Sequence, residues 1–172
     1  MSTKIHEIKA TCYYYLKNND IINCLKFIND YDEMTICECS CVLENIYKNN
    51  LENIHILTLL ANTLNNLTCL YHKINLMTLL YNIYIKLKEY KLALTIIFTI
   101  INYYLHRLNA IYIENNDKIE SQILDNLSIF NAFKCFVIVC GYLDIDPFNH
   151  IIIKRLNDND IKKLKNENKI IK

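Results

Sequence analysis

Three cysteines at alternating positions, in the segment Cys37-Glu38-Cys39-Ser40-Cys41, are the residues most suggestive of chemistry. On a helix, Cys37 and Cys41 would share one face while Cys39 would point elsewhere. Zinc sites typically combine two cysteine or histidine pairs, each pair separated by about two to four residues, and no second pair is present in this chain. We therefore interpret these cysteines as small buried side chains, and we predict neither a metal site nor a structural disulfide.

The remaining residues show no catalytic pattern. The five histidines are scattered, without the HExxH spacing of zinc hydrolases, and the single glycine excludes a glycine-rich phosphate loop. No cysteine–histidine pair is singled out as a nucleophile. We therefore predict that the protein is not an enzyme and that it uses no cofactor.

The first twenty residues contain no apolar leader, so we expect the eight cysteines to be reduced thiols in a cytosolic compartment.

The composition restricts the class of protein further. Half of the residues are apolar and 22% are charged, which excludes disorder for most of the chain. A net charge of +1 argues against a nucleic-acid partner, because such binding needs a concentrated basic face. The longest uncharged run, residues 92–105, is fourteen residues long. A membrane span needs about 18 apolar residues or more, so this run predicts a buried helix and no membrane span.

The elements that must position any site are helices, because apolar residues recur at helical spacing and no alternating strand pattern is found. Asp20 is a predicted N-cap. Polar segments such as Asn18-Asn19-Asp20 and residues 29–32 mark the breaks. The predicted helices cover residues 5–16, 21–28, 39–49, 54–65, 74–87 and 90–111.

The C-terminal third predicts two further helices. Asp117-Lys118-Ile119-Glu120 resembles a capping box that opens a helix reaching Cys140, bent near Ser128 and stopped by Gly141. Asp146-Pro147 predicts an N-cap and a first helical residue for a last helix through Leu156. Residues 157–172 are polar and lysine-rich, so we expect a frayed tail. The domain prediction is therefore one helical domain, residues 1–156, and a tail, residues 157–172.

The helix over residues 90–111 is apolar on nearly every face between Leu92 and Leu105. A helix that is apolar all round is normally enclosed by other helices. We therefore predict an all-α fold, a single bundle wrapped around this central helix. Residues 79–93 also resemble a tetratricopeptide helix–turn–helix, but the pattern is not repeated about 34 residues away. A generic helical hairpin explains this segment equally well.

Several stretches resemble the poxviral Bcl-2-like proteins. Two groups of them are similar, one to the myxoma-type apoptosis inhibitors and one to the anchorless immune modulators of that family. The first group comprises residues 9–16, Asp20-Ile21 with Cys24, Glu33-Met34, residues 45–49, Lys91-Leu92-Ala93 and residues 108–111. The second comprises Asn131-Ala132-Phe133, residues 141–144 and residues 151–157. An AT-rich coding bias, visible in the abundant Asn, Ile, Lys and Tyr, suits such a source.

The resemblance implies a Bcl-2-like fold and a virus-encoded inhibitor of host apoptosis. Such an inhibitor sequesters pro-death proteins of the Bak, Bax and Bim type by binding their death-motif helix in a hydrophobic groove. By analogy the groove would be lined by Leu57, Leu60, Leu64, Leu79, Ile83 and Ile96, with Lys91 at its rim. For each of these residues, ordinary core packing is an alternative explanation. The implied location is the host cytoplasm, with recruitment to mitochondria through partners, and a homodimer is compatible with it.

Two departures and two alternatives accompany this hypothesis. Cellular relatives carry an Asn-Trp-Gly-Arg motif where this chain has Lys88-Glu89-Tyr90-Lys91, so only Lys91 could supply the cation that meets the death-motif aspartate. Residues 161–172 are too lysine-rich to form a membrane anchor.

The first alternative function is a Bcl-2-fold inhibitor of innate immune signalling towards NF-κB that acts through surface faces of the bundle. The second is a tetratricopeptide-like helical scaffold.

Overall fold

The fold is all-α, as predicted. The computed structural model describes residues 2–67, 73–112, 127–154 and 156–168, and over these ranges the backbone is helical, with turns and no strand. The helices are α1 (Ser2–Lys17), α2 (Ile21–Asn29), α3 (Glu33–Glu38), α4 (Ser40–Asn49), α5 (Ile54–Asn65), α6 (Ile74–Lys86), α7 (Tyr90–Tyr112), α8 (Leu127–Tyr142), α9 (Ile151–Lys154) and α10 (Asp158–Asn168). The helix opening predicted at Asp117 lies outside the described residues.

The chain divides into two compact units, residues 1–89 and residues 90–172. The expected boundary between a domain and its tail, at residues 156 and 157, lies inside the second unit. The division falls in the short turn between α6 and α7, which is the turn of the tetratricopeptide-like segment. Each unit contains helices that contact one another and a set of fully buried apolar side chains.

In the first unit, α1 packs on α2, α2 on α5, α5 on α6, and α4 contacts α1, α5 and α6. Side-chain caps begin two of these helices, Asp20 as predicted and Asn53 as a further cap that was not predicted. The Asp20 carboxylate accepts a hydrogen bond from the Asn23 amide, and the Asn53 side chain accepts one from the Ile56 amide at 3.1 Å. These bonds satisfy amides that have no partner within their own helix. Side chains from five helices fill the interior: Ile8, Cys12, Cys24, Ile28, Leu43, Ile46, Leu60, Leu64, Leu80 and Ile83.

Helix α3 was not predicted from the sequence. Its N-cap is Asp32, whose carboxylate accepts hydrogen bonds from the Thr35 amide at 2.9 Å and the Thr35 hydroxyl at 3.1 Å. These bonds hold the pKa of the Asp32 carboxyl below its ordinary value. The spacing of Asp32 and Thr35 is a recognisable start signal, but the helix has only six residues and no long apolar stripe.

Three turns use the left-handed backbone conformation without glycine. Asn19, Lys88 and Asp144 have φ angles of 57°, 60° and 56°. Each lies just beyond a helix, and the residue that follows it donates an amide hydrogen bond back to the last helical turn. The prediction that Gly141 stops α8 is wrong, because α8 continues to Tyr142 and the left-handed residue is Asp144.

In the second unit, α7 and α8 form the most extensive helix pair. Phe98 of α7 lies against Phe136 of α8, with ring centroids 5.1 Å apart, and His150 contacts both rings. The expectation that α7 is enclosed on all sides is wrong. One stripe of α7 is exposed, at Leu92, Thr95, Asn102 and His106, so α7 is an amphipathic helix with a solvent face.

The C-terminal segment is more ordered than predicted. Asp146 does cap Pro147, but the result is a short 3-10 turn, Pro147–Asn149, followed by the four-residue α9. The expected frayed tail is wrong for residues 158–168, which form α10 and contact α8. Asn157 caps this helix, because its side-chain oxygen accepts a hydrogen bond from the Asp160 amide at 2.8 Å. Leu164 is fully buried, and Lys134 forms an ion pair with Glu167 at 2.9 Å.

Within the residues that the structure describes, no helix combines the length and the apolar character that crossing a membrane requires.

Candidate functional site

The structure brings together five of the seven residues expected to line an apolar groove. Leu57, Leu60 and Leu64 lie on α5, Leu79 and Ile83 lie on α6, and these two helices pack against each other. All five side chains are buried, with exposed fractions from 0% to 5%. They form part of the core of the first unit, because each helix turns its most apolar face towards the other helices of that unit.

The other two expected residues belong to α7 in the second unit. Lys91 is exposed, and Ile96 is 8% exposed. The predicted rim cation is therefore accessible to solvent, whereas the predicted wall side chain is part of a core. An open apolar cleft would require its wall residues to be accessible, and none of the six apolar candidates is.

A different concave feature lies on the surface of the first unit, between α4 and α6. We call it the α4–α6 groove, and its volume is about 240 Å³. Seven residues line it: Glu44, Tyr47, Lys48, Asn75, Thr78, Leu79 and Asn82. The groove exists because α4 and α6 touch through their apolar faces, while the polar side chains beside that contact stand apart.

The α4–α6 groove contains polar groups that have no hydrogen-bond partner among the residues that the structure describes. The side-chain amides of Asn75 and Asn82 and the hydroxyl of Tyr47 form no hydrogen bond with any part of the chain that the structure describes. Tyr47 and Asn82 are half-buried, and burial raises the pKa of the Tyr47 hydroxyl, so this hydroxyl is protonated and able to donate. Thr78 is different, since its hydroxyl already donates to the Ile74 carbonyl oxygen at 2.8 Å.

The charges around the α4–α6 groove are balanced. Glu44 and Lys48 lie one turn apart on α4, with the carboxylate oxygen and the amine nitrogen 3.9 Å apart. Lys48 is 73% exposed at its side chain and Glu44 is 39% exposed, so their attraction is weak and screened by water. The lining therefore offers hydrogen-bonding groups and a small apolar floor, Leu79, and no concentrated charge.

Three of the cysteines that the structure describes are small side chains of the core. Cys12, Cys24 and Cys39 are fully buried. The Cys24 thiol donates to the Cys12 carbonyl oxygen at 3.7 Å, and a hydrogen bond with the Cys24 sulfur, together with burial, raises the pKa of Cys12. The thiolate is the form that binds metals, so the raised pKa makes Cys12 a poor metal ligand. Within the described ranges, no group of three or more Cys, His, Asp or Glu side chains could hold a metal ion.

Cys37 differs from the sequence prediction. We expected no structural disulfide, and this expectation is wrong, since Cys37 is disulfide-bonded. The alternating cysteines therefore have three different environments. Cys37 is oxidised, Cys39 is a fully buried thiol, and Cys41 is an exposed thiol whose sulfur accepts a hydrogen bond from the Tyr13 hydroxyl at 3.9 Å.

Sequence reasoning missed the α4–α6 groove. The signal it could have used is the spacing of Asn75, Thr78 and Asn82, which places three polar side chains on one face of an otherwise apolar helix. The opposite wall, with Tyr47, comes from a helix some thirty residues earlier. Only the packing of α4 on α6 brings the two walls together.

Comparisons with known proteins returned no match, whether to a family model, to a curated protein or to a solved structure.

Proposed function

We propose that this chain is a helical protein-interaction module that binds its partner on its surface. The observation that carries this proposal is the burial of all six apolar residues expected to line a death-motif groove, each 8% exposed or less. A partner helix that inserts apolar anchors needs accessible apolar walls. Surface binding needs only exposed polar and apolar side chains, and these are present around the α4–α6 groove and on α7.

Among the functions that the resemblance implies, surface binding fits inhibition of innate immune signalling better than it fits sequestration of pro-death proteins. The anchorless poxviral immune modulators act through faces of their helical bundles and do not need an open groove. The stretches at residues 131–133, 141–144 and 151–157 are the ones that resemble that group. The proposed role is therefore a viral protein that occupies a host signalling partner and blocks activation of NF-κB.

Two measurements test this proposal together. In transfected cells, an NF-κB reporter stimulated by a cytokine should be suppressed by the full chain, while mitochondrial cell death should proceed as in control cells. In calorimetric titrations, the purified protein should not bind death-motif peptides of the Bak, Bax and Bim type at tens of micromolar. Protection from cell death, combined with saturable binding of such a peptide, would contradict surface binding and support death-motif binding in an apolar groove.

Groove-based inhibition of apoptosis is the second candidate function. The observation that favours it is the excess of apolar residues on α5 and α6, where six of twelve and seven of thirteen residues are buried. For this function, the α5–α6 pair would have to open and expose Leu60 and Ile83 to the incoming helix. The amide resonances of α5 should then shift when a death-motif peptide is added, whereas the surface-binding proposal predicts that this peptide does not bind and that the α5 resonances stay unchanged.

A further inference from the structure

The side-chain carboxamides of Asn75 and Asn82 in the α4–α6 groove are spaced like the repeat of an extended peptide. Asn75 and Asn82 lie seven residues apart on α6, which separates them by about 10 Å along the helix axis at about 1.5 Å per residue. Three residues of a polyproline-II strand span about 9 Å, and its three-fold symmetry presents every third residue in the same orientation. One carboxamide can therefore meet residue n of such a strand and the other residue n+3.

The hydrogen-bonding chemistry of the lining matches a peptide backbone. An asparagine side chain carries a donor and an acceptor side by side, and so does each peptide unit. A polyproline-II strand has no internal hydrogen bonds, so its backbone amides and carbonyls are available. The protonated hydroxyl of Tyr47, on the opposite wall, supplies one further donor. A strongly charged ligand would find only the mutually compensating Glu44 and Lys48.

The geometry points to the α4–α6 groove as a binding site for an extended, polyproline-II-like peptide segment of a partner protein, held through its backbone by Asn75 and Asn82. This inference rests on the proposed surface-binding function and specifies the site and the form of the ligand. Leu79, which is 5% exposed, forms the apolar floor on which the strand lies. The small volume of about 240 Å³ suits a backbone with short side chains.

The probe for this site is a library of random twelve-residue peptides displayed on phage and selected against the full-length protein. Enriched sequences are synthesised and titrated by calorimetry and by ¹⁵N NMR. We expect the side-chain amide signals of Asn75 and Asn82 to shift. Asn75→Ala and Asn82→Ala should each weaken binding at least tenfold, and Tyr47→Phe about threefold. When single backbone amides of a selected peptide are replaced by esters, one at a time, binding should weaken most at two positions that lie three residues apart.

The matched control is Asn62→Ala, which removes an exposed carboxamide from α5 outside the groove. Its affinity should stay within twofold of wild type, and all variants should melt like wild type because the replaced side chains are not in the core. Enrichment of no peptide, or binding that Asn75→Ala leaves unchanged, overturns the inference. If the bound peptides shift the NMR signals of surface residues outside the α4–α6 groove, the proposed surface-binding function stands but the groove is not the site. If the bound peptides are amphipathic helices that shift the signals of Leu60 and Ile83, the surface-binding function and the groove site are both overturned.

Discussion

Burial changes the pH at which a cysteine ionises, and two thiols of this protein show the effect. Cys39 and Cys140 are 0% and 1% exposed. Burial is the largest cause that raises the pKa of each thiol from its ordinary value of 9.0 to about 11. Desolvation disfavours the thiolate, and the nearby carboxylate of Asp146 adds to the effect at Cys140. Both groups therefore remain protonated in the folded protein at alkaline pH, where the unfolded chain has lost these protons.

The first prediction is that the free energy of unfolding falls as the pH rises from 9 to 11. Below this window both states are protonated and the stability is fully present. Within this window the folded state binds more protons than the unfolded state. The contribution of each thiol to the free energy of unfolding therefore falls by about 2–3 kcal/mol. Urea unfolding at several pH values measures the slope. Cys140→Ala should lower stability at every pH but flatten the slope, and parallel slopes for variant and wild type would contradict the assignment.

The side chains expected to line a groove lead to a second prediction. Leu60 is fully buried, so Leu60→Glu would place a carboxylate in the core, at a cost comparable to a total stability of about 5–15 kcal/mol. The variant should lose its cooperative melting transition in circular dichroism. Ile54→Glu is the matched control on the same helix, because Ile54 is 69% exposed, and it should change stability by about 0.5 kcal/mol or less. A Leu60→Glu variant that melts like wild type would show that this wall can open.

At the scale of the elements, four helices begin with a side-chain cap, and three of the described helix ends use a left-handed residue that is not glycine. Asp20, Asp32, Asn53 and Asn157 each accept an amide hydrogen bond at a helix start. At the helix ends, asparagine and aspartate tolerate the left-handed conformation because their short polar side chains bond locally. Lys88, with a φ of 60°, has no such compensation. It is the most strained of the three left-handed turn residues in the described part of the chain.

The third prediction follows from this strain. Lys88→Gly should raise the free energy of unfolding by about 0.5–1 kcal/mol, because glycine occupies the left-handed region without a clash of its Cβ atom. Ala10→Gly, at an exposed position within α1, should instead lower it by about 1 kcal/mol. Denaturant unfolding of the two variants beside wild type gives both differences. A loss of stability in Lys88→Gly would mean that the turn changes conformation in solution.

At the scale of the whole molecule, the chain forms two compact units, and each of them contains buried side chains. In the second unit, Ile97 and Ile101 of α7 and Phe133 and Phe136 of α8 are buried. The opposite stripe of α7 is exposed. The core of the second unit therefore depends on one face of α7, and a change on that face should act differently from a change on the exposed stripe.

The fourth prediction compares two aspartates on α7. Ile97 is 2% exposed, so Ile97→Asp should remove the hydrogen-exchange protection of the α7 and α8 amides, because an unpaired buried charge costs several kcal/mol. Thr95→Asp lies on the exposed stripe and should leave that protection within about tenfold of wild type. Amide exchange followed by NMR reports both. Equal loss of protection in the two variants would contradict the solvent-facing assignment of residue 95.

The positions of most helices followed from the sequence because a helix is decided locally, by apolar spacing and by caps such as Asp20. The same reasoning failed at α3, which has only six residues, and at α10, which is mostly polar; both helices begin at side-chain caps and pack on neighbours. The division into two units, the burial of Leu60 and Leu79, and the exposed stripe of α7 depend on which helices meet. The candidate site also depends on which helices pack together, because Tyr47 and Asn82 line one groove only when α4 packs on α6. Contacts between residues far apart in the chain decided these features, and local patterns do not encode them.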